Sequence, residues 1–175
     1  MKTTSWIWKK EVSEELCDIL VEEFSKKQFS KGTVGENTKE DTSVRDNSVV
    51  FAPFKHATEY MLFRYAMLAN RAAGWNYNLL NFVEPVQFSR YKENEFYSRH
   101  IDSKLMQDNL ERKLTCVCLL SDNFEGGQFK LLDEDINLEK GDVLVFPSFL
   151  FHGVMPVEKG ERWSLVGWMS GPRFI

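Results

Sequence analysis

Beyond residue 85 the chain breaks into short runs rich in β-branched and aromatic residues, at 85–91, 95–101, 114–121, 128–132, 142–146 and 163–169, each bounded by turn formers. Many short strands at this spacing restrict the fold to a barrel or a sandwich of antiparallel sheets. Gly126-Gly127 offers a turn that can take positive φ. Gly141-Asp142 resets the chain before the Val143-Leu144-Val145-Phe146 strand.

The stretch before these strands reads as helical support. Ser13 is the expected cap of an amphipathic helix that carries Leu16, Ile19, Leu20 and Phe24 at helical spacing. A second helix is expected over 56–73, with Tyr60, Phe63, Arg64, Met67 and Leu68 giving a mixed face and Gly74 as its stop. It should back a sheet, and His56 on it reads as structural. Between the two helices, residues 30–48 hold Gly32, Gly35, Asn37 and Asn47 and almost no apolar periodicity. They predict a long exposed loop of the kind often used as a lid. With no internal repeat or linker, residues 1–175 are expected to form one domain, 1–75 as helical support and lid and 76–175 as the β core.

Charge and cysteine content narrow the function. Lys+Arg of 22 against Asp+Glu of 26 gives a net charge of -4, without the basic face that phosphate-backbone binding requires. Nucleic acid is therefore disfavoured as a partner. Cys17, Cys116 and Cys118 are odd in number and lack framework spacing, which suits reduced thiols. Cys116 and Cys118 share a strand face, where a soft-metal site is conceivable and a core role is favoured. No stretch approaches the roughly twenty apolar residues of a membrane span and no secretory leader is evident, so a cytoplasmic protein without membrane partners is expected.

The chemistry concentrates in four residues. In a strand, His100 and Asp102 project to one face while Ile101 points away. With His152 brought alongside, two imidazoles and a carboxylate can hold one face of Fe(II) and leave the opposite positions open for a co-substrate and O₂. An isolated His-x-Asp is weak evidence, because a half-exposed strand histidine beside a turn aspartate is the commoner arrangement. Here two of only three histidines fall into the pattern. Arg162 adds a planar fork of donors that matches a carboxylate, as a dicarboxylate such as 2-oxoglutarate requires. The alternative for Arg162 is a pair with Glu158 or Glu161 at the surface.

These residues sit in a longer pattern. Phe88-Ser89-Arg90-Tyr91 with Tyr97, His100 and Asp102 forms the lead-in, and Phe124-Glu125-Gly126-Gly127-Gln128-Phe129 holds the Gly-Gly turn. Gly141-Asp142, Phe146-Pro147, His152-Gly153-Val154, Pro156-Val157, Gly160, Arg162 and Trp168 complete it. In these segments the chain resembles the Fe(II)- and 2-oxoglutarate-dependent oxygenases, in particular their prolyl 4-hydroxylase-like, PKHD-type branch. The resemblance spans residues 85–171, and the N-terminal third matches only in layout. It implies a mainly β fold with flanking helices: a double-stranded β-helix, or jelly roll, with a cupin-like core and the N-terminal helices packed on one sheet. It implies iron on His100, Asp102 and His152, and 2-oxoglutarate chelating the iron with its far carboxylate on Arg162. Dioxygen is then the oxidant, succinate and CO₂ are the co-products, and ascorbate is an optional reductant.

Around that centre, the Tyr91 hydroxyl suits donation to the co-substrate and suits core packing equally. Ser164 follows Arg162 on the same face; its hydroxyl can reach the same carboxylate, although packing is the better reading. Tyr97 and Trp168 are expected to line the substrate side or fill the barrel. Asn94 stands where these enzymes often carry glycine, a departure that bears on the turn before His100. Asp102 is retained, unlike in the halogenase variants, and Trp168 stands where the nucleic-acid demethylases usually have a second arginine. The resemblance thus implies hydroxylation of a prolyl residue in a protein or peptide. Hydroxylation of a free amino acid or other small metabolite is the second reading, and an inactive metal-binding sensor the third.

Overall fold

The computed structural model describes residues 3–35 and 39–174. Its larger sheet runs in the order β1 (Trp6–Trp8), β12 (Val143–Pro147), β8 (Leu110–Leu119), β15 (Arg162–Pro172), β6 (Gln87–Tyr91), β4 (Ser48–Phe51) and β2 (Ser30–Lys31), and β5 (Asn81–Phe82) also pairs with β15. The smaller sheet runs β11 (Glu134–Ile136), β10 (Phe129–Leu131), β13 (His152–Val154), β7 (Phe96–His100) and β3 (Arg45–Asp46). A ribbon of β9 (Phe124–Gly126) and β14 (Val157–Gly160) closes one end, and all strand pairings are antiparallel. This is the double-stranded β-helix expected from the sequence.

Period-two alternation along the strands divides the apolar residues into two cores. Val143 and Val145 of β12, with Cys116 and Cys118 of β8, face helices α1 (Glu14–Ser25) and α2 (Ala57–Ala72). Leu144 and Phe146 of β12, with Val117 of β8, face Phe129, Leu131 and Val154 of the smaller sheet. The helices therefore pack on one sheet only. Phe24 of α1 stacks on Phe88 of β6 with ring centroids 3.3 Å apart, which ties helix to sheet.

Both helices begin where the caps indicate. The Ser13 hydroxyl accepts from the Leu16 amide, and the His56 ring accepts from the Thr58 amide, so His56 serves as the cap of α2. The buried face of α1 differs from the expected one. Cys17, Leu20 and Phe24 are buried, while Leu16 and Ile19 are 40% and 52% exposed. The reason is geometric, since positions 17, 20 and 24 form one stripe at 3.6-residue spacing and 16 and 19 lie beside it.

The expected exposed loop at 30–48 is also corrected, apart from Asn37, which lies outside the described residues. It carries β2 at the edge of the larger sheet and β3 at the edge of the smaller one, joined through a Val34–Lys39 bridge. Arg45 and Asn47 within it are buried. Their polarity concealed them, because the Arg45 guanidinium finds its acceptors internally: Asn47 Oδ1 and the Thr33 carbonyl at 2.9 Å each, and Gln87 Oε1 at 3.5 Å.

Candidate active site

A cavity of about 370 Å³ opens between the two sheets. Alternate residues of three strands of the larger sheet line it: Gln87, Ser89 and Tyr91 from β6; Thr115 and Val117 from β8; Arg162, Ser164, Val166 and Trp168 from β15. The smaller sheet contributes Tyr97, His100, Phe129 and His152.

His100 is the last residue of β7 and His152 the first of β13, and the two are register partners across the pair. Asp102 lies just past the end of β7, not within a strand with His100 as the alternation predicts. Its backbone and that of Ser103 turn to donate to the Ser148 carbonyl at 2.8 and 2.9 Å, which ends the strand while keeping the side chain inward. Asn94, in the turn before β7, adopts φ of 67°, the left-handed region that a glycine would take. The departure at that position leaves the turn intact.

Ligating atoms of His100, Asp102 and His152 lie within 4.8 Å of one another. Each imidazole Nδ1 sits 2.9 Å from a backbone carbonyl two residues earlier, Ser98 for His100 and Leu150 for His152. A carbonyl accepts only, so both Nδ1 atoms carry a proton and both Nε2 atoms face Asp102, free to bind a metal when the rings are neutral. His100 Nε2 is 3.5 Å from Oδ1 of that carboxylate, and His152 Nε2 is 3.2 Å from Oδ2. Tyr97 stacks on His100 with centroids 3.6 Å apart, and the Phe146 edge packs on His152 at 4.7 Å.

The electrostatics follow from burial and proximity. Burial alone would raise the Asp102 pKa, but the neighbouring His152 and His100 more than offset it and hold the carboxyl well below the usual range. Burial depresses His100. It acts the same way on His152, where the Asp102 carboxylate prevails and the ring holds its proton above the ordinary value.

Arg162 opens β15 directly across from Tyr91. It is 2% exposed, and among the described residues no carboxylate lies within 4.0 Å of its guanidinium. Its recorded donor contact is to Ser164 Oγ at 3.2 Å. The surface pairing considered for Arg162 is therefore absent, and Glu161 instead accepts from the Trp163 indole. Burial lowers the guanidinium pKa and raises that of the Tyr91 phenol.

Trp168 lines the cavity, as expected, while Thr115, Arg112 and Arg45 show no such role in the sequence. Thr115 Oγ1 and Trp168 Nε1 each donate to Asp102 Oδ2 at 2.9 Å. Arg112 lies 3.9 Å over the Trp168 ring, and Arg45 lies 4.5 Å over Tyr97. A signal existed for Trp168, which lies an even number of strand positions from Arg162 and so shares its face. Arg112 and Arg45 had none, since their neighbours come from distant segments.

The sequence model of the 2OG-Fe(II) oxygenase superfamily matches residues 86–170, which hold all three converging ligands and Arg162. The chain belongs to the 2OG-Fe(II) oxygenase superfamily. Within it, the chain is 34% identical over 94 residues to a PKHD-type hydroxylase from Idiomarina loihiensis, covering 50% of this chain and 43% of that protein. A PKHD-type hydroxylase from Gloeothece citriformis is 35% identical over 95 residues, again covering 50% and 43%. The chain thus spans less than half the length of these curated relatives. Among solved structures, a viral collagen prolyl hydroxylase from Paramecium Bursaria Chlorella virus-1 matches with TM-score 0.75 at 21% identity, covering 97% of each chain. A prolyl hydroxylase from Trichoplax adhaerens, solved with a hypoxia inducible factor peptide fragment, matches with TM-score 0.73 at 20% identity, covering 95% of this chain and 83% of that one. These likenesses establish the shared fold.

The oxygenase superfamily uses Fe(II), and the donor set here fits such an ion: two neutral imidazoles oriented by their carbonyl contacts and one ionised carboxylate, converging on one side of a cavity. Arg162, buried without a counter-charge in the same cavity, fits the far carboxylate of 2-oxoglutarate.

Proposed function

We propose that the protein is an Fe(II)- and 2-oxoglutarate-dependent dioxygenase that hydroxylates a prolyl residue in a protein or peptide and releases succinate and CO₂. The observation that carries this reading is Arg162, a guanidinium 2% exposed with no acidic partner among the described residues, lining the cavity that the triad faces. Burying an unpaired charge is unfavourable by several kcal/mol or more. A bound dicarboxylate removes that penalty, and a purely structural metal site has no use for Arg162.

His100, Asp102 and His152 would hold the ion on one face and leave the opposite face to the co-substrate. Bound iron supplies the activation of dioxygen and the oxidation of the C–H bond. Arg162 binds the far carboxylate, with Ser164 fixing the guanidinium and the Tyr91 hydroxyl available beside it. Val117, Val166 and Phe129 line the cavity with apolar surface, which limits water at the reacting centre. At the mouth, Phe51, Ile101 and Leu105 are 49%, 46% and 53% exposed. An open apolar rim of this kind supports a chain-like substrate over an enclosed metabolite.

Two measurements test the reading. With Fe(II) and O₂, the protein should convert 2-oxoglutarate to succinate and CO₂ slowly even without the primary substrate. Proline-containing peptides from a cell lysate should gain one oxygen in its presence, as read by mass spectrometry. Absence of both conversions overturns the enzymatic reading, and oxygen found only on free amino acids or metabolites overturns the prolyl one.

A further inference from the structure

Asp102 is held more firmly than its position past a strand end would suggest. Besides the backbone contacts to Ser148, Oδ2 accepts from Trp168 Nε1 and Thr115 Oγ1, both at 2.9 Å. Two donors use the two in-plane lone pairs of that oxygen. In the neutral form that binds metal, His152 keeps its proton on Nδ1, so its Nε2, 3.2 Å away, adds no third donor to Oδ2. Among the described residues, Oδ1 has two nitrogens in range, His100 Nε2 at 3.5 Å and the Arg112 guanidinium at 4.0 Å.

Both donors are themselves fixed. Thr115 Oγ1 lies 3.0 Å from Ser148 Oγ, which donates to it once the threonine proton is given to Asp102. The Trp168 ring lies under Arg112 at 3.9 Å, and Glu84 grips Arg112 with both oxygens, at 2.6 and 2.7 Å. Glu84 and Arg112 line the mouth of the cavity, so a chain of contacts leads from there to the carboxylate.

We propose that Thr115 and Trp168, the latter held by the Glu84–Arg112 pair, are positioning residues that reserve Oδ1 of Asp102 as the single metal-binding oxygen of that carboxylate. The inference rests on the metal reading above and is independent of the primary substrate. Binding through one oxygen keeps the ion on three protein atoms. The remaining positions stay open for the co-substrate and dioxygen. With Oδ2 released, the carboxylate can turn and bind through both oxygens, closing one of those positions.

The test uses Co(II) as the probe, titrated into the full chain without 2-oxoglutarate, with affinity and the visible ligand-field bands as readouts. Trp168→Phe and Thr115→Val each remove one donor while nearly preserving shape. Each should weaken Co(II) by about 10- to 100-fold, the usual effect of losing a partner behind a ligand, and each should shift the bands in position or intensity. Glu84→Gln should act in the same direction with a smaller fold-change, and Glu84→Asp should recover the parent spectrum. Unchanged affinity and bands in both donor variants overturn the proposal. Weaker binding with parent bands also overturns it, because that result denotes loosened structure rather than an altered carboxylate. If Trp168→Phe does not fold, Thr115→Val decides. A parent chain that binds no Co(II) defeats the metal reading itself, a result distinct from the others.

Discussion

At the scale of single residues, the site depends on charges buried in chosen pairs. Arg162→Ala should remove charge-assisted hydrogen bonds to the co-substrate and weaken 2-oxoglutarate by about 1.5–3 kcal/mol. Calorimetry should show that loss with metal affinity unchanged, and a matching loss of metal would place Arg162 elsewhere in the chemistry. The raised pKa of His152 has its own consequence. Metal requires the neutral ring, so its apparent affinity should fall as pH drops through that raised value, earlier than an ordinary histidine would dictate. A Co(II) titration series in pH, flat down to the ordinary histidine range, would contradict this. His100, Asp102, His152 and Arg162 were legible in the sequence because their residue types are scarce and their chemistry specific. Arg45, Arg112 and Thr115 were not, because an arginine or threonine becomes part of a site only through contacts that sequence spacing does not encode.

At the scale of elements, strands and caps follow local rules, while edges and faces depend on what packs beside them. Ser13 and Gly74 marked helix ends correctly, and Gly74 adopts φ of 70° as a helix stop should. The buried stripe of α1 was misjudged because Leu16 and Ile19 are as apolar as Leu20, and only the sheet beneath selects the stripe. β1, β9, β11, β13 and β14 span four residues or fewer, too short for alternation to register. The turn before β12 offers an element-scale test. The fully buried Asp142 carboxylate accepts from Lys9 Nζ at 2.7 Å, the Glu139 amide at 2.8 Å and the Lys10 amide at 2.9 Å. Burial opposes ionisation there, yet these donors prevail and its folded pKa is lowered. Its stabilisation is therefore complete above the unfolded-state value and is lost as pH falls through the lower folded one. Asp142→Asn should reduce stability by about 1.5–3 kcal/mol near neutral pH, with the gap to the parent closing in acid. Denaturant midpoints across pH measure both.

At the scale of the whole molecule, the larger sheet is the shared wall of two cores, with helices on one side and the cavity on the other. Phe88 is fully buried in that wall, and Phe88→Ala should destabilise the fold by about 3–5 kcal/mol through lost burial and the space left behind. Chemical denaturation should show this as a lower midpoint with an unchanged slope. The mixture of short strands announced the sandwich, whereas its width did not show in the sequence, since β2 and β3 are drawn from the polar stretch at 30–48. The pairing of His100 with His152 reaches furthest. Side chains alternate across a strand, so a slip of one position between β7 and β13 would turn one imidazole out of the cavity. The two partners are remote in the chain, and the ladder joining them forms only when these distant segments pair within the smaller sheet. A half-assembled chain thus offers iron no tight seat, and metal loading becomes a report that folding has finished.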